Sequence, residues 1–251
     1  MEEYLYPHFY KIENEHWWFA ARQRIVWEFM ERRLRIPAGA KLLDVGCGTG
    51  AILDMLSKKY DTCGQDVSPQ AIEFCAKRGL KKLFCGTLDR FPKEYGTFDI
   101  ITTLDVIEHI DDDLLTLRQM HALLNDSGTL LITVPAFPAL WGTHDVVTHH
   151  KRRYVKKTLR SVVGQAGFVI DDMAYFNFFL FPVAYVRRMV ARMTGAPEAS
   201  DMNLPAAAVN KALRVVFESE KYILPRFGFP FGLSLICTAR KAGRTQSAPR
   251  G

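Results

Sequence analysis

The decapeptide KLLDVGCGTG at residues 41–50 constrains the fold more than any other stretch of the chain. Leu42, Leu43 and Val45 form a short apolar run, which suits a strand buried on both faces. Asp44 sits near the end of that run, and Gly46, Gly48 and Gly50 follow at alternate positions. Residues 51–59 can then form a helix. Strand, glycine turn and helix start make a nucleotide-type binding corner. Glycine adopts positive φ and lets a ligand lie against bare backbone, and the helix start leaves N–H groups aimed at that ligand. A dinucleotide corner expects G-x-G-x-x-G beneath a pyrophosphate. The spacing here is D-x-G-x-G-x-G.

Further elements follow in the order an open α/β sheet requires. Residues 60–66 read as a second strand ending in Asp66, 20 positions after Gly46 (66 − 46). An acid at that separation bonds ribose hydroxyls in Rossmann-like corners. Ser68 and Pro69 then open a helix as N-cap and first helical residue. Residues 82–85 form a short third strand, and residues 97–104, TFDIITTL, a buried fourth. Asp105 stands at its carboxyl end, where such sheets place their chemistry. Residues 111–113 cap an amphipathic helix that stops at the turn formed by residues 125–128, and residues 128–134 form the fifth strand. Apolar strands separated by helices argue for a parallel sheet built from right-handed crossovers.

Three of these elements together, namely the glycine corner, Asp66 and the segment LDVIEHI at residues 104–110, resemble the class I S-adenosylmethionine (SAM) methyltransferases. The resemblance covers residues 41–135. It implies a Rossmann-like α/β fold, with a seven-stranded, mostly parallel sheet, an antiparallel last strand and helices on both faces. It also implies that Asp44, Gly46, Cys47, Gly48 and Gly50 hold the methionine end of SAM, and that Asp66 and Val67 hold the ribose. In that family the third strand commonly ends in an acid that bonds the adenine amino group. Thr87 holds that position here, so Thr87, Asp89 or the Leu88 backbone would make the contact. Asp105, Val106 and His109 complete the cofactor wall by the same resemblance.

The resemblance leaves two regions to be read from their residues. Residues 1–36 are rich in aromatic and charged side chains, with a helix expected over residues 15–34. It reads as a packing helix over the sheet, as a lid that brings His16, Trp17, Trp18 and Arg22 to the site, or as both. After Pro135 comes a loop dense in chemistry: Trp141, His144, Asp145, His149, His150, Arg152, Arg153 and Tyr154. The H-D … H-x-R-R-Y pattern resembles that of bacterial methyltransferases of the type 11/23-like branch. His144 or His149 could serve as general base, with Asp105 beside them, since histidine titrates near neutral pH. Arg152 and Arg153 could clamp an anionic group, and Trp17, Arg22, Trp141 and Tyr154 could face the acceptor. The alternative for residues 151–157 is a basic, solvated helix start. Asp105, Glu108 and His109 have D-x-x-E-H spacing, close to the E-x-x-E-H cluster that binds a divalent ion in some related RNA and quinone methyltransferases. E-H after strand four also occurs in metal-free members, and the reading adopted is that no metal is bound.

A sixth strand is expected over residues 168–175 and a last strand over 233–239. A helical insertion (residues 176–232) lies between them. Its first helix, residues 177–194, is apolar and then basic. It reads as a packing element, as a cover for the substrate pocket, or as an interfacial helix that meets anionic lipid through Arg187, Arg188 and Arg192. Residues 195–205 read as a loop, 206–224 as a second helix, and 241–251 as a polar, disordered tail. The division expected is a lid (1–36), a methyltransferase domain (37–240) and the tail.

Composition trims the remaining classes. The net charge of +6 permits an anionic substrate or membrane surface without demanding either. The basic residues are dispersed and no RNA-binding motif accompanies them, so nucleic acid is not expected. Five cysteines without a C-x-x-C pair, and a start lacking the pattern of a secretory signal, fit a reducing cytoplasm. The expected function is methyl transfer from SAM to an oxygen of a small-molecule, sugar or lipid-linked acceptor. The alternatives are N- or C-methylation, metal-assisted transfer, a non-catalytic SAM-binding subunit and a membrane-surface module.

Overall fold

Seven strands form a single sheet in the order β3-β2-β1-β4-β5-β7-β6 in the computed structural model, which describes residues 5–194 and 203–242. They are β1 (Lys41–Val45), β2 (Asp61–Asp66), β3 (Leu83–Cys85), β4 (Phe98–Leu104), β5 (Leu124–Pro135), β6 (Phe168–Phe176) and β7 (Ser234–Lys241). β7 runs antiparallel to both β5 and β6. The pairs β1–β2, β1–β4, β2–β3 and β4–β5 are parallel. The expected class is therefore observed. The apolar run of β1 is buried as its sequence requires, with Leu42 and Leu43 fully inaccessible.

Helices α3 (Ala51–Ser57), α4 (Pro69–Lys77), α5 (Asp113–Leu123) and α7 (Lys156–Gln165) link the strands. Ser68 caps α4 by accepting the N–H of Ala71, with Pro69 as the first helical residue. Asp112 caps α5 by accepting the N–H of Leu115. The turn expected at residues 125–128 is absorbed into β5, which begins at Leu124 because Leu124 already pairs with Phe98. Lys241, expected in the tail, closes β7, and the rest of that segment from residue 243 lies outside the described residues.

The N-terminal segment contains two helices, α1 (Leu5–Ile12) and α2 (Trp17–Phe29), where one was expected. They break at His16, whose side chain accepts the N–H of Trp18. α2 unwinds into a π-turn at Met30–Leu34. Ala21, Ile25, Val26 and Phe29 are buried in the main core, so α2 packs as well as covers.

In the insertion, α8 (Phe181–Thr194) and α9 (Ala207–Glu218) are both present. α8 starts four residues later than expected. Asn177 takes a left-handed φ of +58°, and the Glu220 carboxylate accepts the N–H groups of Asn177, Phe178 and Phe179 at 2.6, 2.7 and 3.1 Å. The left-handed turn at Asn177 is incompatible with a helix beginning there, and Glu220 holds that turn through its three amides. Most of the loop expected after α8 (residues 195–202) lies outside the described residues.

Glu220 is fully buried, so this anchor carries a testable cost. Glu220→Ala leaves three amides without their acceptor and should lower unfolding free energy by roughly 3 kcal/mol, read from denaturant midpoints. Burial raises the Glu220 carboxyl to about 7, above its unfolded value. Its contribution is therefore complete at acidic pH and declines as pH rises through 7. Glu220→Gln should flatten that slope of stability against pH.

Candidate active site

Between β1 and β4 the chain order reverses, and the carboxyl ends of the strands part into a crevice there. A cavity of about 840 Å³ occupies it. Its floor is the glycine corner. Gly46 has φ +72°, and a Cβ there would lie 2.5 Å from Cγ2 of Val106. Gly48 has φ +55° and faces open space, with nothing within 4 Å of an added Cβ. The corner is thus a bare-backbone cradle beneath a void.

Acids surround the cradle. Asp66 accepts the N–H of Gly48 and of Ser68, each at 2.9 Å, and is buried. Burial pushes its carboxyl up, against those backbone hydrogen bonds. Asp44 accepts the Thr102 hydroxyl at 2.6 Å, and burial raises it to about 6. Asp105 adopts a left-handed φ of +55° and meets Arg22 of α2 at 2.6 Å. Arg22 also lies over the Trp18 ring, 5.0 Å from its centroid. A second tether joins the N-terminal segment to the corner, where Glu13 accepts the Thr49 hydroxyl at 2.6 Å and an ion pair from Arg78.

The far wall comes from the segment after β5. Asp145, in the short helix α6 (Thr143–Val147), is fully buried. It pairs with His150 Nδ1 and with Arg153 Nε, each at 2.7 Å. Burial alone would raise its carboxyl, but the hydrogen bonds from His150 and Arg153 and the arginine charge hold it well below the usual carboxylate range. Nδ1 of His150 therefore donates to an ionised carboxylate, which fixes the tautomer so that Nε2 is the acceptor of the neutral ring. The His150 ring lies edge-on to His109 (4.6 Å between centroids) and to His144 (5.7 Å). Burial and the neighbouring His150 depress His109 to about 3, so it is neutral at physiological pH.

Glu108 completes this cluster. Its side chain is fully buried and both carboxylate oxygens lack a hydrogen-bond partner. Burial and then the Asp105 charge push its carboxyl well above the usual range. Ligand atoms of Glu108, His109 and His150 lie within 4.8 Å of one another. This set could hold a divalent cation, with Asp145 supporting His150 from behind. Asp105, expected beside Glu108 and His109, is turned instead to Arg22.

Most of the residues expected at the site line the cavity: Trp17, Arg22, Asp44, Gly46, Cys47, Gly48, Asp66, Val67, Thr87, Leu88, Asp105, Val106, His109, His144 and Arg153. Cys47 does so without offering its thiol, which packs 3.7 Å from that of Cys75, and its N–H is engaged by the Gln65 carbonyl. Five others depart from expectation. Gly50 starts α3 with φ +85°, its missing Cβ making room for Cys75. His149 is exposed, turned away by a left-handed φ of +58°. Trp141 presents its carbonyl to Arg192. Arg152 ties the carbonyls of Ile110 and Asp111 and pairs with Asp113. Tyr154 is buried and donates its hydroxyl to Asp113. Arg153, though in the wall, is occupied by Asp145 and the Ala136 carbonyl. Sequence reasoning missed His150 as the inward member of the His149-His150 pair. The i, i+5 spacing from Asp145 was the available signal.

Comparison with known proteins agrees with this geometry. Residues 14–172, more than half of the chain, match a family model described as "Methyltransferase domain". The ubiquinone biosynthesis O-methyltransferase of Xanthomonas axonopodis pv. citri is 26% identical over 167 residues, covering 59% of this chain and 70% of that protein. The protein of that name from Azorhizobium caulinodans is 28% identical over 162 residues, covering 57% of this chain and 64% of its own length. Among solved structures, a SAM-dependent methyltransferase from Clostridium acetobutylicum matches with TM-score 0.57 at 13% identity, covering 89% of this chain and 92% of that one. The [4+2]-cyclase SpnF matches with TM-score 0.58 at 23% identity, covering 89% and 83%. Those two likenesses show the fold alone, and the cyclase illustrates that one fold carries different chemistries. The family match and the glycine corner together decide the class: the chain belongs to the methyltransferase-domain family, as a class I SAM-dependent methyltransferase with a Rossmann-like fold.

Proposed function

We propose that this enzyme methylates an oxygen of a small-molecule or lipid-linked acceptor, with His150 as general base. The observation that carries the reading is the buried Asp145–His150 pair at 2.7 Å in the cavity wall. SAM supplies an electrophilic methyl group on a sulfonium. In this reading Gly46 and Gly48 provide the backbone cradle, Asp66 takes the ribose hydroxyls, and Val67, Thr87 and Leu88 border the adenine. Asp44 places negative charge beneath the cationic end of the ligand. Trp17, Trp18 and Arg22 exclude water from above, which aligns the acceptor and strengthens the local electrostatics. His150 Nε2 accepts the acceptor's hydroxyl proton, and Asp145 stabilises the imidazolium that results. The ubiquinone-pathway names of the relatives support an oxygen acceptor. The division into an N-terminal lid, a methyltransferase domain and a helical cover belongs to the same proposal.

A second reading is favoured by one specific observation, the unpartnered oxygens of buried Glu108 beside His109 and His150. A divalent cation held by these three would lower the pKa of an acceptor hydroxyl directly. His150 would then be a ligand and not a base. Mixed carboxylate and imidazole donors suit manganese or zinc better than magnesium.

The cofactor corner predicts that Asp66→Ala raises the Kd for SAM at least tenfold in calorimetric titration, with NADH giving no binding to either protein. Asp44 adds a pH dependence. Its carboxyl, raised to about 6, is protonated at lower pH and loses its attraction for a cation. SAM affinity should therefore fall as pH drops through 6, and Asp44→Asn should remove that dependence. For the chemical step, His150→Ala should lower kcat by roughly 10²–10⁴-fold with SAM binding intact, while His149→Ala leaves turnover unchanged. Activity that survives chelation and metal-free dialysis sustains the base. Activity lost on chelation and restored by manganese or zinc, with bound metal lost in His109→Ala, sustains the cation.

A further inference from the structure

Helix α8 is amphipathic the wrong way round for a packing helix. Val183, Val186, Val190 and Met193 are spaced i, i+3, i+7 and i+10, which places them on one face. That face points to solvent: the four side chains are 58, 58, 52 and 86% exposed, and no residue of the helix is buried. The reverse face carries Arg188 and Arg192, and these point inward. Arg188 donates to the Leu140 carbonyl at 2.5 Å, and Arg192 donates to those of Ala139 and Trp141 at 2.7 and 2.9 Å. A globular helix buries its apolar stripe and solvates its arginines. Here arginines anchor the helix to the loop after β5 and hold the apolar stripe out.

The stripe is continuous with the active-site cavity. Val183 belongs to it and also lines the cavity, together with Leu180, Ala184, Arg187 and Arg188. Leu213 of α9 lines the same cavity. α9 repeats the pattern, with Val209 and Val216 exposed at 51 and 40% on one face. The cavity thus opens where two helices present apolar side chains outward.

We propose that α8 seats its apolar face on an anionic phospholipid bilayer, and that the methyl acceptor is a membrane-resident amphiphile entering the cavity past Val183. The part concerning the acceptor rests on the methyltransferase reading above. Charge selects the bilayer over a second copy of the chain. α8 contains three arginines and no acidic residue, and backbone carbonyls hold Arg192 without cancelling its charge. A twofold self-contact would set this cationic helix against its own copy and seal the cavity mouth. Anionic headgroups complement it and leave the mouth facing the acyl chains. At 14 residues the helix is too short to cross, and no helix among the described residues is long and apolar enough to span a membrane. The helix therefore lies in the interface. Of the arginines that the sequence assigned to lipid, Arg188 and Arg192 also orient the helix from behind while keeping their charge.

The test is sedimentation of the full chain with phosphatidylcholine vesicles, with and without a third of phosphatidylglycerol, for wild type and for Val186→Asp/Val190→Asp. Both positions are exposed and outside the cavity lining. Wild type should pellet with the anionic vesicles, and the double variant should bind them at least tenfold more weakly with unchanged SAM affinity and Tm. Equal sedimentation of the two proteins, or no sedimentation of wild type with anionic vesicles, overturns the proposal. So does a wild-type dimer in analytical ultracentrifugation that the variant converts to monomer. SAM titration reports separately on the methyltransferase reading: vesicle binding without SAM binding would sink that reading and leave the surface standing.

Discussion

The reversal of strand order between β1 and β4 is the constraint from which the site follows. Chain connections leave these two neighbours in opposite directions, so no crossover covers the gap between their carboxyl ends. Backbone must fill the floor of that gap, because Gly46 and Val106 meet there with no room for a Cβ. One consequence is that the ends of both strands must take unusual conformations. Gly46 and Gly48 do so at no steric cost, whereas Asp105 does so as a non-glycine residue at φ +55°, a strained position. The Arg22 ion pair at 2.6 Å and the Asp105 N–H donated to the Thr133 carbonyl at 2.9 Å hold it. The N-terminal segment is thereby coupled to the floor it covers.

The same coupling explains why α2 both packs and covers. Its inner face joins the main core through Ala21, Ile25 and Phe29, while its first turns carry Trp17, Trp18 and Arg22 to the cavity. Asn210 of α9 ties the start of α2 from the other side, accepting the Trp17 N–H at 2.8 Å and donating to the Glu15 carbonyl. The roof of the site is therefore a joint structure of the N-terminal segment and the insertion before β7. Neither segment belongs to the sheet, and the two are nearly 200 positions apart in sequence.

What could be read in the sequence was local or periodic. The glycine corner, the Ser68-Pro69 cap, the buried strands and Asp66 each depend on neighbours within one turn or one strand, and all were legible. Side-chain direction in an irregular loop was not. His149 and His150 differ by one residue, and a single left-handed φ at His149 decides which ring faces inward. Arg152 and Tyr154 looked like acceptor ligands because their partners, Asp113 and the carbonyls of residues 110 and 111, lie some 40 positions away. Glu220 illustrates the same limit: nothing near it announces that it will hold the turn at residues 177–179 ahead of α8.

The electrostatics of the cavity argue for a cationic occupant. Asp44, Asp66 and Glu108 are all pushed up, in each case chiefly by burial. Hydrogen bonds from Thr102, Ser68 and Gly48 only partly offset that burial, and neither Glu108 oxygen has a partner of comparable geometry. Buried carboxylates of this kind are costly in an empty site and become favourable when a positive charge arrives. In the proposed reading a sulfonium with its neighbouring ammonium meets that need at Asp44, and ribose hydroxyls meet it at Asp66. Glu108 lies with the histidines of the far wall, beyond the glycine corner in the same cavity, and its need is met either by a proton or by a divalent ion. The choice between a histidine base and a bound cation thus reduces to one physical question, namely which positive species neutralises Glu108 when the acceptor is in place.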